Sequence, residues 1–153
     1  MNEQPSTGNA APREHADRQL VDRIRAALAP REEILEAYLF GSQATGRAQP
    51  HSDVDVAVFV DAERATHSGF GYPAELTTAL MAALRRNDVD VVVLNQADPV
   101  LYHRVLRDGV RVLARDLAAT TTREAYAFSR YFDFLPQLAK MEATRRYVRE
   151  RRG

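Results

Sequence analysis

The 153-residue chain has no cysteine. Disulfides, thiol catalysis and cysteine-based zinc sites are therefore excluded. Net charge is lacking too, since 21 Lys and Arg balance 21 Asp and Glu. That argues against a grip on nucleic acid by the whole surface, while leaving room for a local basic patch. Lysine is nearly absent: Lys140 is the one lysine, and the remaining positive charge is arginine. No apolar run approaches the roughly 18–20 residues that a membrane helix needs. Met1 to Arg18 lacks the apolar centre of a secretion signal. The expected compartment is the cytoplasm, with neither membrane nor nucleic acid as partner.

What is there fits one modest domain. Hydrophobic residues make up 45% of the chain, enough for a single core. Residues 1–16 are polar and read as a disordered arm. Leu20, Val21, Ile24, Ala27 and Leu28 recur at helical spacing over Asp17 to Ala29, before Pro30. Ile34 to Phe40 reads as a buried strand ending at Gly41, and Val54 to Val60 as a second. Asp61 to Tyr72, punctuated by Gly69 and Gly71, reads as a loop. Pro73 to Arg86 reads as a helix with Leu76, Leu80, Met81 and Leu84 on one face. Val89 to Leu94, nearly all valine or leucine, reads as a central strand covered on both faces. Asp98 and Pro99 form an N-cap and N1 pair for a helix to Asp108, which Gly109 ends. Val110 to Leu113 is a short fourth strand. Thr121 and Glu124 have capping-box spacing and would open a final helical region to about Arg149, kinked or split by Pro136. This order of elements predicts an α/β layered domain.

Chemistry concentrates in one segment. Gly41-Ser42 is followed, after ten residues, by Asp53-Val54-Asp55. Residues i and i+2 of a strand share a face, so Asp53 and Asp55 project side by side. Paired carboxylates repel and raise each other's pKa. A hard divalent cation such as Mg²⁺ relieves that conflict and takes oxygen ligands. Asp90 opens a later apolar strand and would join them if that strand lies beside Val54 to Val60. Three acids can hold two metal ions about 3.5–4 Å apart for in-line displacement at phosphorus. Asp90 is also the expected base for an acceptor hydroxyl. At Gly41-Ser42 the chain would turn from strand into a short helix, ended by Gly46. There glycine lets backbone approach phosphate, while the serine hydroxyl and free N–H groups bind its oxygens.

Phe40 to Gly46, followed by Ser52 to Val58, resembles the minimal nucleotidyltransferase branch of the DNA polymerase β superfamily. Val89 to Asn95 resembles that branch's third-carboxylate strand, and the likeness runs from about residue 20 to 115. The small size and the ending Ala127 to Phe134 look like the MntA-type antitoxins, which are encoded beside HEPN-domain ribonuclease toxins (HepT). The resemblance implies an α/β nucleotidyltransferase (polymerase β-like) fold: a mixed β-sheet packed by helices, with a C-terminal helical extension. The expected division is an arm at 1–16, the nucleotidyltransferase domain at 17–116, and an extension at 117–153 packed on it. It further implies Mg²⁺-dependent transfer of AMP from ATP to a tyrosine hydroxyl of the toxin. Asp53, Asp55 and Asp90 would carry the metals, and Gly41 and Ser42 would hold the triphosphate. Gln43 stands where many relatives have arginine, and His51 where an acid is frequent; nucleotide preference is what these touch.

Other features have quieter readings. Arg47 reads as a solvated loop arginine, His51 as structural or solvent-facing, and His103 as a surface or packing residue. Tyr126, Phe128, Tyr131, Phe132 and Phe134 cover more of their helix than one core-facing stripe needs, so an exposed remainder would mark a protein interface. Lys140 to Gly153 carries six basic side chains against Glu142 and Glu150, a net +4. It is a candidate contact for an acidic partner surface or RNA, or else a solvated tail. Two other functions compete: an antitoxin that acts by binding alone, and NMP transfer to a small molecule. An Asp-x-Asp glycosyltransferase is disfavoured by the preceding Gly-Ser and by the small size.

Overall fold

The computed structural model describes residues 16–49, 51–65 and 71–152. The polar arm, but for Ala16, and the stretch 66–70 of the glycine-punctuated loop lie outside the described residues. Four strands form one mixed sheet. β1 (Ile34–Phe40) and β2 (Val54–Val60) are central; β3 (Val89–Val93) and β4 (Val110–Ala114) are the edges. β1 runs antiparallel to both neighbours, while β2 and β3 are parallel. A parallel pair needs a crossover, and the helix within it is α3 (Tyr72–Leu84).

Alternation along the strands feeds a core on each face. Val54, Val56, Val58 and Val60 pack with Leu20, Val21, Ile24 and Leu28 of α1 (Arg18–Leu28) and with Leu76, Leu80 and Leu84 of α3. Ala57 and Tyr38 face the other way. They pack with Tyr102 and Val105 of α4 (Pro99–Asp108) and Ala127 of α5 (Leu117–Arg152). A bulge between Ile34 and Glu36 puts Ile34 in the first core, and Glu36 is fully buried beneath α5.

Caps mark the helices as the residues suggest. Asp17 accepts from the Gln19 N–H at 2.9 Å, and Asp98 from the Leu101 N–H at 2.9 Å with Pro99 behind it. Gly109 ends α4 with an extended φ of −80°, so no left-handed turn is involved. Glycine suits it for another reason: a Cβ there would strike the Val105 carbonyl oxygen.

Three expectations fail in whole or in part. The valine run Val89 to Leu94 is an edge strand, not a central one; only Val89 of β3 is buried, and Leu94 already belongs to a 3₁₀ turn, Leu94–Gln96. Apolar residues on both faces reflect coverage from above and below, whereas centrality depends on pairing. α5 begins at Leu117, before the capping-box pair. Asp116 accepts from the Ala119 N–H, the Thr121 hydroxyl donates to the Leu117 carbonyl, and Glu124 is engaged by Arg111 and Tyr38. Nor does Pro136 split α5, which is continuous over 36 residues. One proline removes a single rung from a long ladder, and the turns on either side hold their own hydrogen bonds.

Candidate active site

β1 ends at Phe40, directly opposite Asp55 of β2. The chain then turns through Gly41 at φ +71°, ψ −156°, a conformation that side chains rarely adopt. A Cβ there would also run into the Asp55 carboxylate. Glycine is thus required twice, and its backbone lies against the acid. α2 (Ser42–Thr45) follows, closed by Gly46 in the left-handed region.

Asp55 and Asp90 are register partners on parallel strands, so they share a face. Asp53 sits two residues before Asp55. Asp53 and Asp90 are exposed, and Asp55 is half-buried between them. Burial first, then Asp90 and Asp53, raise the Asp55 carboxyl above the ordinary carboxylate range. Among the described residues none of the three makes an ion pair. Nor are any three acids or histidines already closed into a metal-binding cluster. The donor set is all oxygen, net negative and open to solvent on one side. A hard divalent cation fits that chemistry and would relieve the repulsion felt at Asp55.

The sequence does not announce the brace around Asp53. Arg86 grips Asp88 through Nε at 2.7 Å and Nη2 at 2.6 Å, and Nη2 also donates to the Ser52 carbonyl at 3.0 Å. Gln43 donates to the same carbonyl at 3.2 Å. The Val54 N–H donates to the Asp88 carbonyl at 2.8 Å. The residue before Asp53 is thereby tied to α2 and to the start of β3 at once. Arg86 and Asp88, two apart before an apolar strand, were the only visible trace. Of the quieter residues, Arg47 and His51 are exposed, and His103 stacks on Tyr131 at 3.7 Å between ring centroids. That makes His103 a packing residue.

A cavity of about 630 Å³ lies at the opposite end of the two parallel strands. Val60, Tyr72, Val93, Asn95 and Leu101 line it. None of the five predicted site residues borders it. Asn95 there bonds both the N–H and the carbonyl of Val60, extending the sheet by a side chain.

The family model described as polymerase beta nucleotidyltransferase matches residues 22–118. No curated protein matches by sequence. Among solved structures, a chain of the tri-AMPylated Shewanella oneidensis HEPN toxin in complex with MNT antitoxin aligns with a TM-score of 0.62 at 23% identity, over 82% of this chain and 96% of that one. A toxin–antitoxin structure with AMP-PNP gives 0.58 at 24%, over 85% and 95%. The toxin–antitoxin MntA–HepT gives 0.55 at 21%, over 88% and 97%. At these identities the structural likeness establishes the fold. The family match spans well over half of the chain and contains the glycine turn and all three carboxylates, so the chain belongs to the polymerase β nucleotidyltransferase family.

Proposed function

We propose that this nucleotidyltransferase moves AMP from ATP to the hydroxyl of a tyrosine in a partner HEPN protein, and that it silences the partner by doing so. The observation that carries the reading is the meeting of Gly41, Asp53, Asp55 and Asp90 at one end of the sheet. The acceptor is supported by the solved neighbours, one an AMPylated HEPN toxin with its MNT antitoxin and another a toxin–antitoxin with AMP-PNP.

Asp53, Asp55 and Asp90 would hold Mg²⁺, and two ions match three carboxylates. When bound, the metal supplies charge neutralisation at the triphosphate and acidity at the acceptor oxygen. Gly41 lets the backbone come close to the phosphates, and the Ser42 hydroxyl donates to a phosphate oxygen. The acceptor oxygen forms a bond to the α-phosphorus as the bond to pyrophosphate breaks in line. Asp90 accepts the acceptor's proton at a carboxylate oxygen. Its place on an edge strand suits an acceptor as large as a protein, because among the described residues no further strand stands beside it.

Intact-mass spectrometry of the protein encoded beside this chain, after incubation with the chain, ATP and Mg²⁺, tests the reading. The expected result is a gain of one or more AMP units, abolished by Asp53→Asn. A stable complex without a mass change would favour an antitoxin that acts by binding alone. No complex and no gain would turn the search to small-molecule acceptors.

A further inference from the structure

α5 does two different things along its length. Over 36 residues it spans about 54 Å at 1.5 Å per residue. Its first half lies on the domain. Thr120 and Ala127 are buried there, Glu124 is held by Arg111 and Tyr38, and Tyr131 stacks on His103 of α4. These four residues are spaced i, i+4, i+7, i+11, so they form one face. Continued at the same spacing, that face reads Phe134, Leu138, Met141, Arg145, Val148, Arg152. Beyond Leu138 the domain no longer covers it, and every residue from Ala139 to Arg152 is exposed. Met141 keeps 46% and Val148 45% of its surface in solvent.

We infer that this projecting half of α5 is the seat of a partner protein that presents an apolar helical seam lined by acidic side chains. The charge pattern selects the occupant. Arg145 and Arg152 lie within the seam, and Lys140, Arg146, Arg149 and Arg151 flank it against Glu142 and Glu150, a net +4. A second copy of the same segment would bring two surfaces of net +4 together, whatever its direction. An acidic partner pairs with the arginines instead, while Leu138, Met141 and Val148 supply the dry centre that a helix-in-groove contact needs. RNA would engage the arginines but leave Met141 and Val148 without a role. The inference rests on the proposed function in taking the partner to be the acceptor protein. It deepens that reading by placing the grip on α5, away from the carboxylates.

The test uses the full chain and the protein encoded beside it. Met141→Glu with Val148→Glu, and separately Arg145→Glu, alter exposed positions with a good helix former. Titration calorimetry of the pair should show affinity at least tenfold weaker for each variant. Mn²⁺ binding to the variants alone and their melting temperatures should stay as in the wild type, so the carboxylate end is intact. The loss should also appear as a raised KM for the partner protein, with kcat for AMP transfer kept. Wild-type affinity in both variants would overturn the docking surface while leaving AMP transfer standing. Absence of both binding and transfer in the wild type would overturn the proposed function and this inference together. Two further results would also overturn it. One is a wild-type dimer dispersed by Met141→Glu with Val148→Glu. The other is a single-stranded RNA 20-mer lost on Arg145→Glu with protein binding unchanged.

Discussion

At the scale of single residues, Asp55 stands between two purposes. Burial and its neighbours Asp90 and Asp53 raise its carboxyl in the folded chain. The folded state therefore holds that proton more tightly than the unfolded one, whose Asp titrates near about 3.9. This contribution to stability is complete below the unfolded value and lost as pH rises through the folded one. At neutral pH without metal, Asp55→Asn should melt higher than the wild type, with a gap that closes toward acid pH. The same substitution, like Asp53→Asn and Asp90→Asn, should cut transfer by orders of magnitude; near-normal turnover in any one would remove that residue from the mechanism. Arg86 holds the Ser52 carbonyl, next to Asp53, and is proposed to position that carboxylate. Arg86→Met should weaken Mn²⁺ binding several-fold by calorimetry, and an unchanged affinity would reduce the brace to scaffolding. The acid trio and Gly41 were legible because strand alternation and a fixed spacing state them directly. The brace was not, since Gln43 and Arg86 converge on the Ser52 backbone carbonyl, which leaves no pattern in side-chain identities beyond the Arg86–Asp88 pair.

At the scale of elements, the contact between β1 and α5 is polar where a core would be expected to be dry. Glu36, fully buried, accepts from Arg123 at 3.0 Å and from the Tyr102 hydroxyl. Tyr38 donates to Glu124 at 2.8 Å, and the Arg111 guanidinium grips the same carboxylate at 2.6 and 2.7 Å. Arg123→Met would leave the Glu36 charge without its partner, at a cost of about 3 kcal/mol in urea unfolding; a loss below about 1 kcal/mol would show that Glu36 finds another donor. Burial is the first cause that pushes up the hydroxyls of Tyr38 and Tyr102, followed by the Glu36 charge. For such groups stability is full below the unfolded pKa of about 10 and lost as pH climbs toward the folded value. Unfolding free energy should therefore fall as pH rises above about 10, less steeply in Tyr38→Phe. A flat profile would contradict the assignment. The strand ends of β1 and β2 and the Asp98–Pro99 start of α4 could be read from turn residues and caps. The edge position of β3 could not, because hydrophobicity reports coverage of faces and says nothing about a missing neighbour in the sheet. The start of α5 was missed for a different reason: Glu124 has capping-box spacing from Thr121, but Arg111 and Tyr38 claim its carboxylate across the sheet.

At the scale of the whole molecule, the parallel strands present two different ends and the C-terminal helix projects beyond the domain. One end of the parallel pair β2 and β3 carries the acids, and the other opens on the cavity bordered by Tyr72 and Asn95. Among the described residues no helix is long and apolar enough to cross a membrane. The nucleotide and its metal are proposed to belong at the acid end, not in the cavity at the opposite end of the strands. Diffraction from crystals grown with Mn²⁺ and a non-hydrolysable ATP analogue tests this directly through the anomalous signal of the metal. The account predicts Mn²⁺ bound by Asp53, Asp55 and Asp90, with the triphosphate against Gly41 and Ser42. Nucleotide seated among Val60, Tyr72 and Asn95, with no metal at the three carboxylates, would contradict it.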